Sequence, residues 1–118
     1  GVALFEDKVY FARAEAVLVA LDAKTGKEVW SATVEDNRKG YYISMAPLVA
    51  DGKVIVGTSG GELGVRGFVA AFDARTGAPL WKVFTVPAPG EAGSETWPAG
   101  GEQWKTGGGS IWVTANYD

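Results

Sequence analysis

Apolar residues along the chain come in short runs cut by glycines and charged pairs, and none of the runs keeps a helical period. Lys8–Arg13 (KVYFAR) and residues 16–23 (AVLVALDA) are β-branched and aromatic runs of strand length. A KTGK turn follows, where Gly26 can take the positive φ that a tight hairpin demands. Residues 28–34 (EVWSATV) are then predicted to return as the paired strand, with Trp30 on it.

The unit recurs. Residues 53–58 (KVIVGT) correspond to KVYFAR, and AAFDARTGAPLW, ending at Trp81, corresponds to VALDAKTGKEVW, ending at Trp30. The shared core of the repeat, A-x-D-x-x-T-G-x-x-x-W, occupies residues 20–30 and 71–81. Its aspartate can accept turn amides, its threonine and glycine complete the turn, and its tryptophan offers a large apolar body to a neighbouring unit. Residues 111–118 (IWVTANYD) again reach an aromatic followed by aspartate, as the opening of a third copy would. A four-stranded unit of this kind needs neighbours to cover its faces, so the prediction is all-β, a β-propeller of which the chain covers about two blades and part of a third.

The two copies are not the same length. Lys8 and Lys53 are 45 positions apart and Asp22 and Asp73 are 51 apart, so the second copy carries six additional residues. They fall in the loop at residues 59–67, inside residues 57–68 (GTSGGELGVRGF), a stretch with five glycines, Glu62 and Arg66 between two apolar strands. Repeat scaffolds concentrate function in such insertions. A second irregular stretch, residues 86–109, is rich in proline and glycine, and with Trp97 and Trp104 in it reads as an ordered loop.

Composition narrows the chemistry. The 118 residues are 47% hydrophobic and 21% charged, which is globular, and 17 glycines fit many tight turns. A formal charge of -3 without a basic cluster gives no nucleic-acid footprint. With no histidine and no cysteine, ordinary zinc sites, a Ser-His-Asp triad, histidine base catalysis and disulfides are excluded within these residues. No signal peptide or membrane-spanning run is present, and the start at Gly1, already inside predicted structure, reads as an internal segment of a longer protein. Two blades with uncovered edges are expected to be marginal or aggregation-prone if expressed alone.

Several residues carry two readings each. Ser59, Gly60 and Gly61 offer a hydroxyl and bare amides to ligand carboxylates, and Glu62 offers hard oxygen to a cation; the alternative is a plain glycine turn with an exposed glutamate. Arg66 can neutralise a ligand, although a clamp on its own blade is the better reading. Ser110 and Trp112, after the glycines at 107–109, can present a hydroxyl and an indole face, or Trp112 can be one more core tryptophan. Ser44, in ISMAP, either meets the ligand or satisfies backbone near Pro47.

SGGELGVRGFVAAFDARTG at residues 59–77, WKTGGGSIW at 104–112 and the two tryptophan repeats together resemble the pyrroloquinoline quinone (PQQ) dependent alcohol dehydrogenases of bacteria, including methanol and ethanol dehydrogenases. The resemblance runs over nearly the whole chain, as part of an eight-bladed propeller. It implies that Ser59, Gly60 and Gly61 bind the quinone's carboxylates, with Ser44 and Ser110 where relatives often have threonine. Glu62 matches a ligand of the active-site calcium or lanthanide, and Trp112 matches the tryptophan stacked on the quinone plane. Serine at 44 and 110 loses a methyl relative to the threonine, and Gly61 stands where some members carry alanine. No catalytic residue falls in this segment, since the family's asparagine metal ligand and aspartate base would lie beyond Asp118. The implied activity of the intact protein is oxidation of a primary alcohol to an aldehyde, by hydride transfer to metal-bound PQQ, with electrons passing on to cytochrome c or a similar acceptor. A periplasmic location follows from the same resemblance, and a homodimer is compatible with it. The rival readings are a non-enzymatic propeller scaffold that binds proteins or peptides, and a sugar dehydrogenase using the same cofactor.

Overall fold

In the computed structural model, which describes residues 1–118, the first repeat forms strands β1 (Val2–Phe5), β2 (Lys8–Arg13), β3 (Val17–Asp22) and β4 (Glu28–Thr33). The second forms β5 (Leu48–Ala50), β6 (Lys53–Gly57), β7 (Phe68–Asp73) and β8 (Pro79–Phe84). Each set pairs in chain order into a four-stranded antiparallel sheet, and each sheet is one propeller blade. The short first strand β1 has no counterpart among the predicted runs. Its four residues are too few to display an alternation of their own, and the β2 ladder holds them.

Register makes the repeat visible in three dimensions. Lys8 faces Asp22 across β2 and β3, and Lys53 faces Asp73 across β6 and β7. The additional residues of the second copy therefore lie entirely between β6 and β7. Both blades also break register at the same point of their last pair, between Ala20 and Leu21 and between Ala71 and Phe72.

Just after that point the aspartate builds the turn. Asp22 Oδ1 accepts from the amides of Lys24 (3.0 Å) and Thr25 (2.7 Å) and from the Thr25 hydroxyl (2.9 Å). Asp73 Oδ1 does the same with Arg75, Thr76 and the Thr76 hydroxyl, at 2.9, 2.9 and 3.1 Å. These bonds, led by the threonine amide in each case, hold both carboxyls below the ordinary carboxylate range. A lowered folded value means that the stabilisation is complete above the unfolded value near pH ~4 and is lost as pH falls through the folded one. Asp73→Asn is expected to flatten that acid limb in a series of urea midpoints against pH. An unchanged slope below pH ~4 would remove the turn carboxylate from the account of acid sensitivity.

The blades meet through the first tryptophan. Trp30, 9% exposed, lies over Gly77 so closely that a Cβ there would sit 2.6 Å from Cε3 of the indole. Its Nε1–H donates to the Ala74 carbonyl at 3.2 Å, and the Tyr10 hydroxyl donates to the same oxygen at 2.7 Å. The glycine of the second turn is thus both the φ +75° residue that closes the turn and the platform that receives the indole. Tyr10, Leu18 and Ala20 of the first blade join Val54, Val56 and Phe72 of the second in one core. On the far side of the second blade, Trp81 is 40% exposed and Val83 60% exposed.

Beyond β8 the chain forms no further strand. Two single 3-10 turns, Ser94–Thr96 and Gln103–Lys105, punctuate an ordered excursion that returns to the second blade. Residues 111–118, expected to open a third copy, have no ladder within this chain. Ile111 N–H instead donates to the Thr58 carbonyl (3.0 Å) and the Thr114 hydroxyl to that of Ala46 (2.8 Å), which lays the segment across the second blade.

Candidate cofactor and metal site

Three stretches far apart in sequence converge at one end of the second blade. The insertion leaves β6 at Gly57 and passes through the 3-10 turn Gly61–Leu63. Alongside it runs the segment before β5, joined by mutual backbone bonds between Tyr42 and Ser59, the shorter being Ser59 N–H to the Tyr42 carbonyl at 2.8 Å. On the other flank come the glycines at 107–109. Gly108 N–H donates to the Val65 carbonyl at 3.1 Å and the Gly108 carbonyl accepts from Gly67 N–H at 2.6 Å, a parallel bridge centred on Arg66 and Gly108.

Glycine is required where these backbones touch. A Cβ on Gly60 would lie 2.2 Å from the Gly40 carbonyl oxygen, and one on Gly61 would lie 2.8 Å from Ser110 Oγ. Gly60 also has φ +112°, in the left-handed region that L side chains rarely adopt.

The side chains carried by this framework line one cavity of about 260 Å³, formed by Tyr42, Ser44, Ser59, Glu62, Ser110 and Trp112. Ser44 and Ser59 share a hydroxyl–hydroxyl bond of 2.9 Å. Ser44 thus reaches another hydroxyl and not the backbone near Pro47. Ser110 Oγ accepts from the Gly61 amide at 3.0 Å. Trp112 is 65% exposed, which removes the reading of it as a core tryptophan within this chain. Five of the residues named from sequence therefore share a wall of the cavity. Gly60 and Gly61 form the backbone behind it.

Glu62 is exposed, and the hydroxyl of Tyr42 donates to its Oε1 at 2.6 Å. That bond, followed by one from its own backbone, holds the Glu62 carboxyl below its ordinary value, so the group is an anion at neutral pH. No cluster of three or more His, Cys, Asp and Glu side chains surrounds it. Tyr42 is the member of the cavity that sequence reasoning missed. Its aromatic neighbour Tyr41 turns the opposite way, into the core, and nothing in the YY pair distinguishes the two.

Arg66 does not enter the cavity. Its guanidinium donates to the Val86 carbonyl and to Glu91 Oε2, each at 2.7 Å, and lies 3.9 Å from the centre of the Phe84 ring. Trp104 flanks it at 5.1 Å, so Arg66 clamps the insertion to the excursion that carries Ser110 and Trp112.

The donor set has a definite chemical character. Hydroxyls and amides suit the carboxylates of an anionic ligand, a single carboxylate suits a hard cation, and an exposed indole suits a planar ring. These residues fit one wall of a site for a planar, carboxylated molecule held with a cation. The remaining donors to such a cation would come from outside these 118 residues.

Fold and site together define a class, a propeller sector carrying a polar cavity at the edge of one blade. A family profile described as outer membrane protein assembly factor BamB matches residues 1–104, and the chain belongs to that family of repeat propellers. Among its relatives, the quinohemoprotein alcohol dehydrogenase ADH IIB of Pseudomonas putida is 48% identical over 128 aligned positions, covering 100% of this chain and 18% of the relative. The solved structure of a europium-containing methanol dehydrogenase superposes with a TM-score of 0.90 at 40% identity, over 100% of this chain and 23% of that one. BamB from Moraxella catarrhalis superposes with a TM-score of 0.60 at 25% identity, over 78% of this chain and 26% of that one. The chain thus spans about a fifth of the length of the quinoprotein dehydrogenases that it matches.

Proposed function

We propose that this chain is one sector of a quinoprotein alcohol dehydrogenase, in which it supplies one wall of the PQQ site and one ligand to the cation. The observation that carries this reading is the convergence of Ser44, Ser59, Glu62, Ser110 and Trp112, drawn from three separate segments, on one cavity. Ser59 and the Gly60 amide hold the carboxylates of the cofactor, Ser44 and Ser110 contact it through their hydroxyls, and the Gly61 amide fixes Ser110 Oγ beside them. Trp112 gives its ring a flat surface, and Glu62 binds calcium or a lanthanide. The bound cofactor and cation supply a two-electron acceptor and a Lewis acid for hydride removal from a primary alcohol. The base for the alcohol proton belongs to another part of the protein. A periplasmic location and a cytochrome c or similar electron acceptor complete the proposal, which is compatible with a homodimer.

The test is reduction of an artificial dye by a primary alcohol, using the full-length protein with and without PQQ and with calcium or a lanthanide added. Dye reduction that requires PQQ, metal and alcohol together is the expected result. The matched family profile favours a second reading, a non-enzymatic scaffold that binds proteins or peptides. A full-length protein that binds no PQQ at any metal concentration would select it.

A further inference from the structure

Tyr42 is the residue of this cavity whose side chain is directed at Glu62 and at no other group of the site. Its position is set by the main chain, because Tyr42 and Ser59 exchange backbone bonds three residues before Glu62. The 3-10 turn Gly61–Leu63 then brings Glu62 back against the segment that carries Tyr42. An exposed glutamate on a glycine turn ordinarily samples many rotamers. Here a neutral hydroxyl fixes one of its oxygens at 2.6 Å, the length of a charge-assisted O–H···O⁻ bond.

We propose that Tyr42 is a positioning residue for the cation site: it holds the Glu62 carboxylate in a single orientation by occupying Oε1, which directs Oε2 toward the metal. The inference rests on the reading of Glu62 as a metal ligand and deepens it. A carboxylate oriented in advance loses less conformational freedom when it binds a cation. An outer donor to a ligating carboxylate also fixes which lone pairs face the metal, and removing such a partner commonly weakens metal affinity about 10–100-fold. A tyrosine serves better than a lysine or arginine at this position, since it brings no positive charge to repel the incoming cation.

The experiment is titration of europium(III) into the full-length protein carrying PQQ, read by lanthanide luminescence intensity and by excited-state lifetimes in H₂O and D₂O. Three forms are compared: wild type, Tyr42→Phe and Glu62→Gln. Tyr42→Phe keeps the ring and the backbone bonds to Ser59, so the fold is retained, and its melting temperature without metal serves as the check. The expected result is affinity about 10–100-fold weaker in Tyr42→Phe, with a different number of metal-bound waters and an unchanged metal-free melt. Glu62→Gln is expected to lose the site. Affinity and lifetimes equal to wild type in Tyr42→Phe, beside a weakened Glu62→Gln, would overturn the positioning role and leave the metal ligand standing. Wild-type affinity in Glu62→Gln would remove the metal-ligand reading itself.

Discussion

Trp30→Ala is expected to cost about 3–5 kcal/mol of stability, the range for truncating a buried aromatic that leaves a cavity behind. Trp30 is 9% exposed, its ring packs against the Tyr10 ring at 5.8 Å between centroids, and its face covers Gly77. Truncation therefore empties the contact between the blades. The Ala74 carbonyl keeps its bond from Tyr10, so the loss is one of packing and not of an orphaned acceptor. Trp81, the same position of the second repeat, is 40% exposed and supplies the comparison. Within these 118 residues Trp81→Ala removes less buried area and costs distinctly less. Urea midpoints of the two variants measure the difference, taken in a stabilising osmolyte because the uncovered blade edges leave the 118-residue chain marginal. Equal, small losses of under about 1 kcal/mol would show that blade docking does not depend on the indole.

The contrast between Trp30 and Trp81 shows what the sequence contains and what it leaves to geometry. Each A-x-D-x-x-T-G-x-x-x-W unit announces its own turn, because the aspartate, threonine and glycine bond to one another within five residues. The strand runs are equally local, and the offset between the two copies places the insertion between β6 and β7. That Gly77 receives Trp30 is not local, since the contact joins residues 47 apart in different repeats. Glycine's turn role alone accounts for its presence in the motif. Only the packed structure reveals the second role.

The candidate site follows the same division. Ser59, Gly60, Gly61 and Glu62 announce themselves as an insertion, but Ser44 and Ser110 each keep two readings in the sequence until the resemblance favours the ligand. Their meeting depends on two crossings of bare backbone, Gly60 over Gly40 and Gly67 against Gly109. No periodicity encodes such crossings. Tyr42 escaped notice and Arg66 kept two readings for a related reason: a tyrosine before a strand and an arginine before a glycine have many structural uses. Partners 20 and 25 residues away decide between them.

Those crossings make Gly60→Ala the most damaging single methyl group in the site. Two effects act together. The backbone at φ +112° costs a non-glycine residue about 1–3 kcal/mol, and the new Cβ would lie 2.2 Å from the Gly40 carbonyl oxygen and 3.1 Å from Val65 Cγ2. The carbonyl cannot rotate away freely, because Gly40 closes the preceding 3-10 turn, donating to the Asn37 carbonyl, with φ +104°. The strain is instead relieved by separating the insertion from the segment carrying Tyr42 and Ser44. The 2.9 Å contact between Ser44 and Ser59 and the 2.6 Å contact between Tyr42 and Glu62 both span that seam. A displacement of about 1 Å between groups that must act together commonly costs about 10²-fold in rate. Gly60→Ala in the full-length protein is accordingly expected to lose about 10²-fold in kcat/KM for alcohol and to bind PQQ more weakly. Gly52→Ala is the matched control, since Gly52 has φ +68° with nothing within 4 Å of its Cβ and lies in the β5–β6 turn away from the cavity. It carries the backbone strain without the collision. If both variants lose activity equally, the damage comes from backbone strain alone. If Gly60→Ala retains wild-type PQQ binding, the crossing over Gly40 is not what brings the walls of the cavity together.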